Sequence, residues 1–363
     1  MSEYRLKKLK KFLGEYNLSH ILITDVASAE YISGFRSSNT LLLISPRRNA
    51  LLTDFRYKEA AKHFCRKNKR WRFVEIKGSD YTFLRAFLKR NDRIGIQSDV
   101  VTVDQFDKLK KQLKRAKIIK LGNKLSFIHI VKMKHEIKAM QRAASIGDKA
   151  ITILIKKIKI GMTERLVSDT LENLCRENGS DKPPFETIVL FGRRTALPHG
   201  KPSNRKLKPG DWILCDFGCT INGFTSDMTR TMVMGKADNR QKKIYSVVLK
   251  ALQEAKKAVR PGIRACDIDK RARTVIEKAG YADAFGHATG HGLGLRVHEP
   301  PRVNRDNKTT LLKDMIFTIE PGIYLEGFGG VRIEDMVIVT ENGSRSITKT
   351  TRGLLEINKL YNA

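Results

Sequence analysis

The chain has 363 residues, room for two domains with sizeable cores, and carries 70 Lys and Arg against 38 Asp and Glu, a formal net charge of +32. No apolar run approaches the length of a membrane span, and the opening MSEYRLKKLKKFL lacks the apolar stretch of a signal peptide. A chain without a membrane-spanning helix and a cytoplasmic protein are therefore expected, with Cys65, Cys175, Cys215, Cys219 and Cys266, odd in number and scattered, reduced.

Residues 1–126 alternate strand-like runs, at 21–24, 41–44, 51–53, 94–96 and 118–120, with helical patterns near 56–66, 82–90 and 103–115, which predicts an α/β domain. They hold 29 Lys and Arg against 12 Asp and Glu, a net +17, leaving +15 for the other 237 residues. The basic positions, among them Lys7, Lys8, Lys10, Lys11 and the run 108–120, fall on helices whose other face is apolar, and no aromatic residues interleave them. A solvated basic surface is the expected meaning, with no specific nucleic-acid partner.

Residues 121–132 are the expected boundary, giving domains of 1–126 and 127–363. Beyond it Ile137, Met140, Ala144, Ile151, Leu154 and Ile158 recur at helical spacing up to Gly161, a second helix runs to about Cys175, and strands follow. The same order then recurs, with Asp238 as a cap, helices near 239–259 and 266–279, and strands to 340. The second domain therefore reads as α+β with two helices and then strands, twice.

Five residues of this half, Asp216, Asp227, His291, Glu320 and Glu334, are of metal-ligand type and stand in strand-like settings. Four carboxylates would almost neutralise two divalent cations. Asn222-Gly223 is a strong hairpin signal between 212–221 and 224–233; the register it sets pairs Asp216 with Thr229 and puts Asp216 and Asp227 on one face as diagonal neighbours. Taken alone, the hairpin is equally compatible with two solvated aspartates. Gly290, Gly292 and Gly294 argue against a helical zinc motif at His287 and His291 and for close backbone approach around His291, leaving His287 as a packing residue. His298 precedes Glu299-Pro300-Pro301, near a strand end. Glu320 stands before Pro321-Gly322; Glu334 lies in an apolar run two residues after Arg332, which offers an ion pair as the plain alternative to a metal.

The strings LPHGKPS, DFGCTINGFTSDMTRT, TGHGLGLRVHE, TIEPGIY and GGVRIED resemble the signature segments of the pita-bread metallopeptidases, the prolidase and aminopeptidase P branch in particular; ISGFRSSNTLLLI and LLTDFRYKEAA are similar to that branch's creatinase-type N-terminal domain. The resemblance implies an internal pseudo-twofold catalytic fold, a homodimer, a dinuclear centre on Asp216, Asp227, His291, Glu320 and Glu334, and His199 and His298 as catalytic histidines that are not ligands. Glu320 would also shuttle a proton. Four oxygen ligands and one imidazole favour manganese, with cobalt, iron and zinc as alternatives. The expected substrate is a dipeptide or short peptide with proline second, met by Phe185 as an apolar wall and by Arg302 and Arg332 as carboxylate contacts. Arg296 and the pair Arg193-Arg194 depart from the family pattern and leave substrate preference open. Methionine aminopeptidase-like activity and a non-catalytic nucleic-acid or partner-binding role are the alternatives.

Overall fold

In the computed structural model, which describes residues 3–78 and 80–357, the chain folds as two units, residues 1–129 and 130–363. The first is built on short strands, mostly apolar and buried at the centre of the sheet, as a sheet covered by helices requires, and charged and partly exposed at its two edges. These are β1 (His20–Ile23), β2 (Thr40–Ile44), β3 (Asn49–Thr53), β4 (Trp71–Glu75), β5 (Arg93–Ile96) and β6 (Lys117–Lys120), in the order β4-β3-β2-β1-β5-β6. Only β2 runs against its neighbours, so β1, β3, β4, β5 and β6 all begin at one end of the sheet. Helices α1 (Glu3–Glu15), α2 (Val26–Ser33), α3 (Lys58–Lys67) and α4 (Val103–Gln112) accompany it. Two expectations fail here. Strand β4 is absent from the sequence reading because Arg72 and Glu75 break its apolar run. The helical pattern at 82–90 is only a 3-10 turn over Thr82–Ala86, entered through Tyr81 at φ 62.

At the division between the units is the single turn α5 (Phe127–Ile130). The second unit shows the expected doubled order. Helices α6 (Lys134–Lys157) and α7 (Glu164–Glu177) precede β7 (Ile188–Phe191), β8 (Trp212–Phe217), β9 (Thr220–Ile221), β10 (Phe224–Thr225) and β11 (Met228–Met234). Helices α8 (Asn239–Ala258) and α9 (Ala265–Lys278) precede β12 (Gly290–Gly292), β13 (Glu299–Val303), β14 (Ile316–Ile319), β15 (Gly322–Leu325), β16 (Gly329–Arg332), β17 (Asp335–Val339) and β18 (Ser344–Ser346), with β19 (Glu356–Ile357) last. Asp238 caps α8 in a reciprocal box with Gln241, as its sequence position implies. The main sheets run β19-β11-β8-β7 and β13-β12-β14-β17-β18. One apolar cluster packs α6 and α7 on the first sheet, and another packs α8 and α9 on the second. All five cysteines are free thiols. Among the described residues no helix is long and apolar enough to cross a membrane.

Candidate metal centre

The Asn222-Gly223 turn does set the hairpin register: both residues take positive φ (52° and 81°), Ile221 faces Phe224, and Thr229 faces Asp216. The register survives the break between β8 and β9, where Gly218 approaches the chain so closely that an added Cβ would lie 2.0 Å from the Ser226 carbonyl oxygen. Asp216 and Asp227 are thereby carried on one face. His291 sits at the middle of β12, and its flanking glycines are needed for packing. A Cβ at Gly290 would stand 1.9 Å from the Thr318 carbonyl oxygen, and one at Gly292 would stand 2.2 Å from that of Pro300.

Asp227, His291 and Glu334 converge, each offering a ligand atom within 4.8 Å of the others. The His291 Nε2 lies 3.6 Å from Asp227 Oδ2 and 3.4 Å from Glu320 Oε1. Its Nδ1 is 3.1 Å from the Gly292 carbonyl oxygen, which can only accept, so the proton sits on Nδ1 and the Nε2 lone pair faces the carboxylates. Burial holds the His291 pKa below its ordinary value, which keeps the ring neutral. Glu320 follows β14 and is aimed by its backbone N–H bond to Thr289 and by the Thr318 hydroxyl. Further back Asp269, fully buried on α9, accepts from Thr289 and from Arg273, and Arg273 in turn donates to the carbonyls of Phe285 and His287. The segment leading to His291 is thus fixed from a helix.

Crowding like charges in the interior has a visible consequence. Burial, and then Glu334, Asp216 and Glu320, push the Asp227 carboxyl well above its usual range; burial, Glu320 and Asp216 do the same to Glu334. Glu320 is pushed up to about 7 by burial, with Arg332 opposing and Asp216 adding to the rise. Two buried oxygens, Asp216 Oδ1 and Glu334 Oε1, have no hydrogen-bond donor. Oxygens left so are costly unless a cation meets them, and the donor set of four carboxylates and one neutral imidazole fits divalent ions.

Arg332 does not pair with Glu334. It reaches instead across the sheets to Asp216 Oδ2 at 2.6 Å, and it also donates to the Thr229 hydroxyl (3.0 Å), the Tyr324 hydroxyl (2.8 Å) and the Pro198 carbonyl (3.4 Å). Thr229 passes the contact on, donating to Glu334 Oε2 at 2.8 Å. One guanidinium therefore orients two carboxylates, leaving Asp216 Oδ1 and Glu334 Oε1 as the unpaired oxygens. Burial alone would lower the Arg332 pKa, but Tyr324, Asp216 and Glu320 hold it far above its ordinary value. Tyr324 also bonds to His287 Nε2, and burial brings the His287 pKa down to about 4. The sequence places Thr229 opposite Asp216 but assigns no role to it, and it gives no signal for Tyr324. Next to Glu334, Asp335 is fully buried among Arg230, Arg352 and Lys256. Burial acting alone would raise its pKa, yet these cations hold it at about 2.

His298 and His199 are exposed. The His298 ring lies 4.3 Å, centroid to centroid, from that of His291. Burial lowers its pKa, and His291 and His199 add to the shift. The loop carrying His199 is clamped by Glu164, which accepts from the Phe191 N–H, the Arg194 guanidinium and both the N–H and hydroxyl of Ser203. Glu299, just after His298, is held by Lys132 at 2.7 Å and accepts the Arg296 N–H. Arg302 is exposed on β13, opposite His291 in the ladder. Phe185 is half-buried after Pro184, whose ring lies 2.7 Å from where a Gly218 Cβ would stand.

Residues 138–341 match the model of metallopeptidase family M24, and residues 5–128 match the Creatinase/Prolidase N-terminal domain. The chain is 35% identical to an Xaa-Pro dipeptidase of Pyrococcus furiosus over 97% of its own length and 99% of that protein's. Among solved structures it resembles an Xaa-Pro dipeptidase from Bacillus anthracis (TM-score 0.91, 33% identity, 98% of this chain and 100% of that one). It also resembles an X-Pro aminopeptidase from Thermotoga maritima (TM-score 0.85, 32% identity, 97% and 99%). With its buried carboxylates and pita-bread architecture, the chain belongs to the M24 metallopeptidases of the prolidase type.

Proposed function

We propose that this chain is an exopeptidase that hydrolyses the Xaa-Pro bond of dipeptides, using two divalent cations held by Asp216, Asp227, His291, Glu320 and Glu334. The observation that carries the reading is the pair of buried, donorless oxygens on Asp216 and Glu334 within a set of four carboxylates and a neutral imidazole. Manganese suits this oxygen-rich set best. The ions would polarise the scissile carbonyl and lower the pKa of water towards neutrality. Within that frame Glu320 moves the proton from the attacking water to the departing proline nitrogen, while the N–H groups of His298 and His199 stabilise the developing oxyanion and hold the substrate. Arg332, buried and engaged with Asp216, Tyr324 and Thr229, serves to orient ligands, which gives the dipeptide carboxylate to exposed Arg302. Phe185 forms a wall for the proline ring. Five free thiols suit a cytoplasmic location, and the homodimer rests on family resemblance alone.

The test is a manganese-supplemented assay of Ala-Pro, Ala-Pro-Ala and Met-Ala-Ser. Ala-Pro is expected to be cleaved fastest, and Arg302→Gln is expected to raise KM for Ala-Pro more than for Ala-Pro-Ala. Preference for the tripeptide would make the enzyme an Xaa-Pro aminopeptidase, cleavage of Met-Ala-Ser alone would make it a methionine aminopeptidase, and no cleavage at all would point to a binding protein.

A further inference from the structure

Part of the excess charge of the first unit is gathered into two grooves. Lys7 and Lys10 from α1, Arg47 and Arg48 before β3, and Lys69 and Arg72 at the start of β4 line a groove of about 730 Å³. Its one carboxylate, Glu3, is taken by Arg70 at 2.9 Å. Among the described residues none of those six cations is ion-paired. A second groove, about 430 Å³, is lined by Arg85, Lys89, Lys111, Lys114 and Arg115, with no acid in its wall.

The topology relates the two grooves. Residues 47–49 and 69–72 flank the starts of β3 and β4, and residues 85–89 and 111–116 precede β5 and β6. All of these strands begin at the same end of the sheet. The grooves therefore stand at the two sides of one end, across six strands that span about 24 Å, the length of roughly seven base pairs of duplex. A cavity of the second unit behaves differently. That cavity, about 1160 Å³ along α8 and α9, also holds lysines and arginines, but Glu254 and Asp267 interrupt them.

We propose that the strand-start end of the N-terminal unit is a sequence-independent binding surface for a nucleic-acid backbone. Two concave grooves at this spacing, one without an acid and the other with its single carboxylate already paired, match a chain of phosphodiesters, and arginines supply forked donors for phosphate oxygens. Trp71, in the wall of the first groove, is 4% exposed and offers no stacking platform, and the second groove has no aromatic residue in its wall, which favours backbone contact over base stacking. An anionic membrane is the weaker occupant. Of the exposed large apolar residues described in this unit, Phe55 follows the far end of β3, and Val100 and Val103 follow the far end of β5; Tyr4 alone stands on a groove-lining helix, with the Lys8 ammonium over its ring at 4.6 Å, and one aromatic side chain is too little apolar area to anchor a membrane.

The full-length protein is titrated with mixed-sequence 20-base-pair duplexes at several salt concentrations. Binding that weakens roughly a thousandfold between about 50 and 200 mM salt, alike for unrelated sequences, is expected. Arg47→Glu/Arg48→Glu/Lys69→Glu and Lys111→Glu/Lys114→Glu/Arg115→Glu should each lower the slope of log K on log salt by about three. The control Lys250→Glu/Lys270→Glu/Lys278→Glu makes the same change in net charge on the α8–α9 cavity and should lower it by less than about one. Dipeptidase activity should be unchanged in all three variants, which shows that they fold. Equal losses in groove and control variants, no binding at the lowest salt, or tighter groove-dependent binding to phosphatidylserine vesicles than to duplex would each overturn the proposal.

Discussion

Two lysine–glutamate pairs of almost equal length show how differently the units handle charge. In the first unit Lys58 and Glu75 meet at 2.8 Å with side chains 39% and 24% exposed; in the second, Lys132 and Glu299 meet at 2.7 Å with 0% and 2%. The N-terminal unit keeps its net +17 outside, where water and salt screen it. The catalytic unit puts carboxylates in its interior, where each needs a named partner: Arg332 for Asp216, Arg230 for Asp335, Lys132 for Glu299. The lesson is that net charge says little about where an electrostatic term is large. The unit with the larger excess has the weaker individual interactions.

The strongest way to break this contrast is to attack the interior acids. Asp216→Asn and Glu334→Gln are expected to lose at least one metal ion, measured by elemental analysis, together with essentially all Xaa-Pro hydrolysis; full activity after chelation would contradict the metal reading. The metal-free protein should also show the charge crowding in its pH dependence. Asp227, Glu320 and Glu334 have raised pKa values, Glu320 at about 7, so the folded state keeps protons that the unfolded chain releases. Stability from these groups is complete below their unfolded values and is lost as pH rises through the folded ones. The buried histidines act in the opposite sense, but only below about 6.5, where the unfolded chain binds the extra proton. Between pH 7 and 8.5 the metal-free melting midpoint should therefore fall, and fall less in Glu334→Gln. A midpoint that rises over that range would contradict the assignment.

Next in size is the buried pair itself. Lys132→Met leaves Glu299 without its ammonium in a site from which water is excluded, and a loss of about 3–5 kcal/mol is expected in urea unfolding. A loss below about 1 kcal/mol would mean that Glu299 finds another donor or takes up a proton at little cost.

What the sequence made legible follows the same division between local and long-range physics. The Asn222-Gly223 register and the shared face of Asp216 and Asp227 could be read because a two-residue turn fixes every pairing that follows. The glycines around His291 could be read as close-approach positions for a similar reason, since they stand next to the residue they serve. The partner of Arg332 could not be. Two-residue spacing suggested Glu334, whereas the answer depends on β16 crossing β8, which sets Arg332 against a residue 116 positions away. The Glu164 clamp on the His199 loop is hidden likewise, since its acceptors' donors lie 27 to 39 residues on. In the first unit β4 was lost to its charged residues, and a 3-10 turn passed for a helix at 82–90.

A smaller effect separates ligand from catalyst within the site. His291→Ala should lower metal occupancy first, because Nε2 faces Asp227 and Glu320. His298→Ala should leave metal content near that of the unaltered protein while cutting turnover by on the order of 10²-fold, the expected cost of one transition-state donor. Loss of metal in His298→Ala, or unchanged turnover, would remove His298 from the mechanism.

The smallest effect is the most pointed test of the contrast. Lys58 and Glu75 are as close as their buried counterparts, and the Lys58 hydrogen bond holds the Glu75 carboxyl below its ordinary pKa. A depressed carboxyl pKa would contribute stability above the unfolded value and lose it as pH falls. Here water solvates both groups in either state, and ordering the long lysine side chain offsets the attraction. Lys58→Met should therefore raise the Glu75 pKa in an NMR titration and yet leave the melting midpoint unchanged within error, at low salt as at high. A midpoint drop comparable to that of Lys132→Met would show that distance, and not burial, sets the strength of these pairs, and the contrast between the two units would fail.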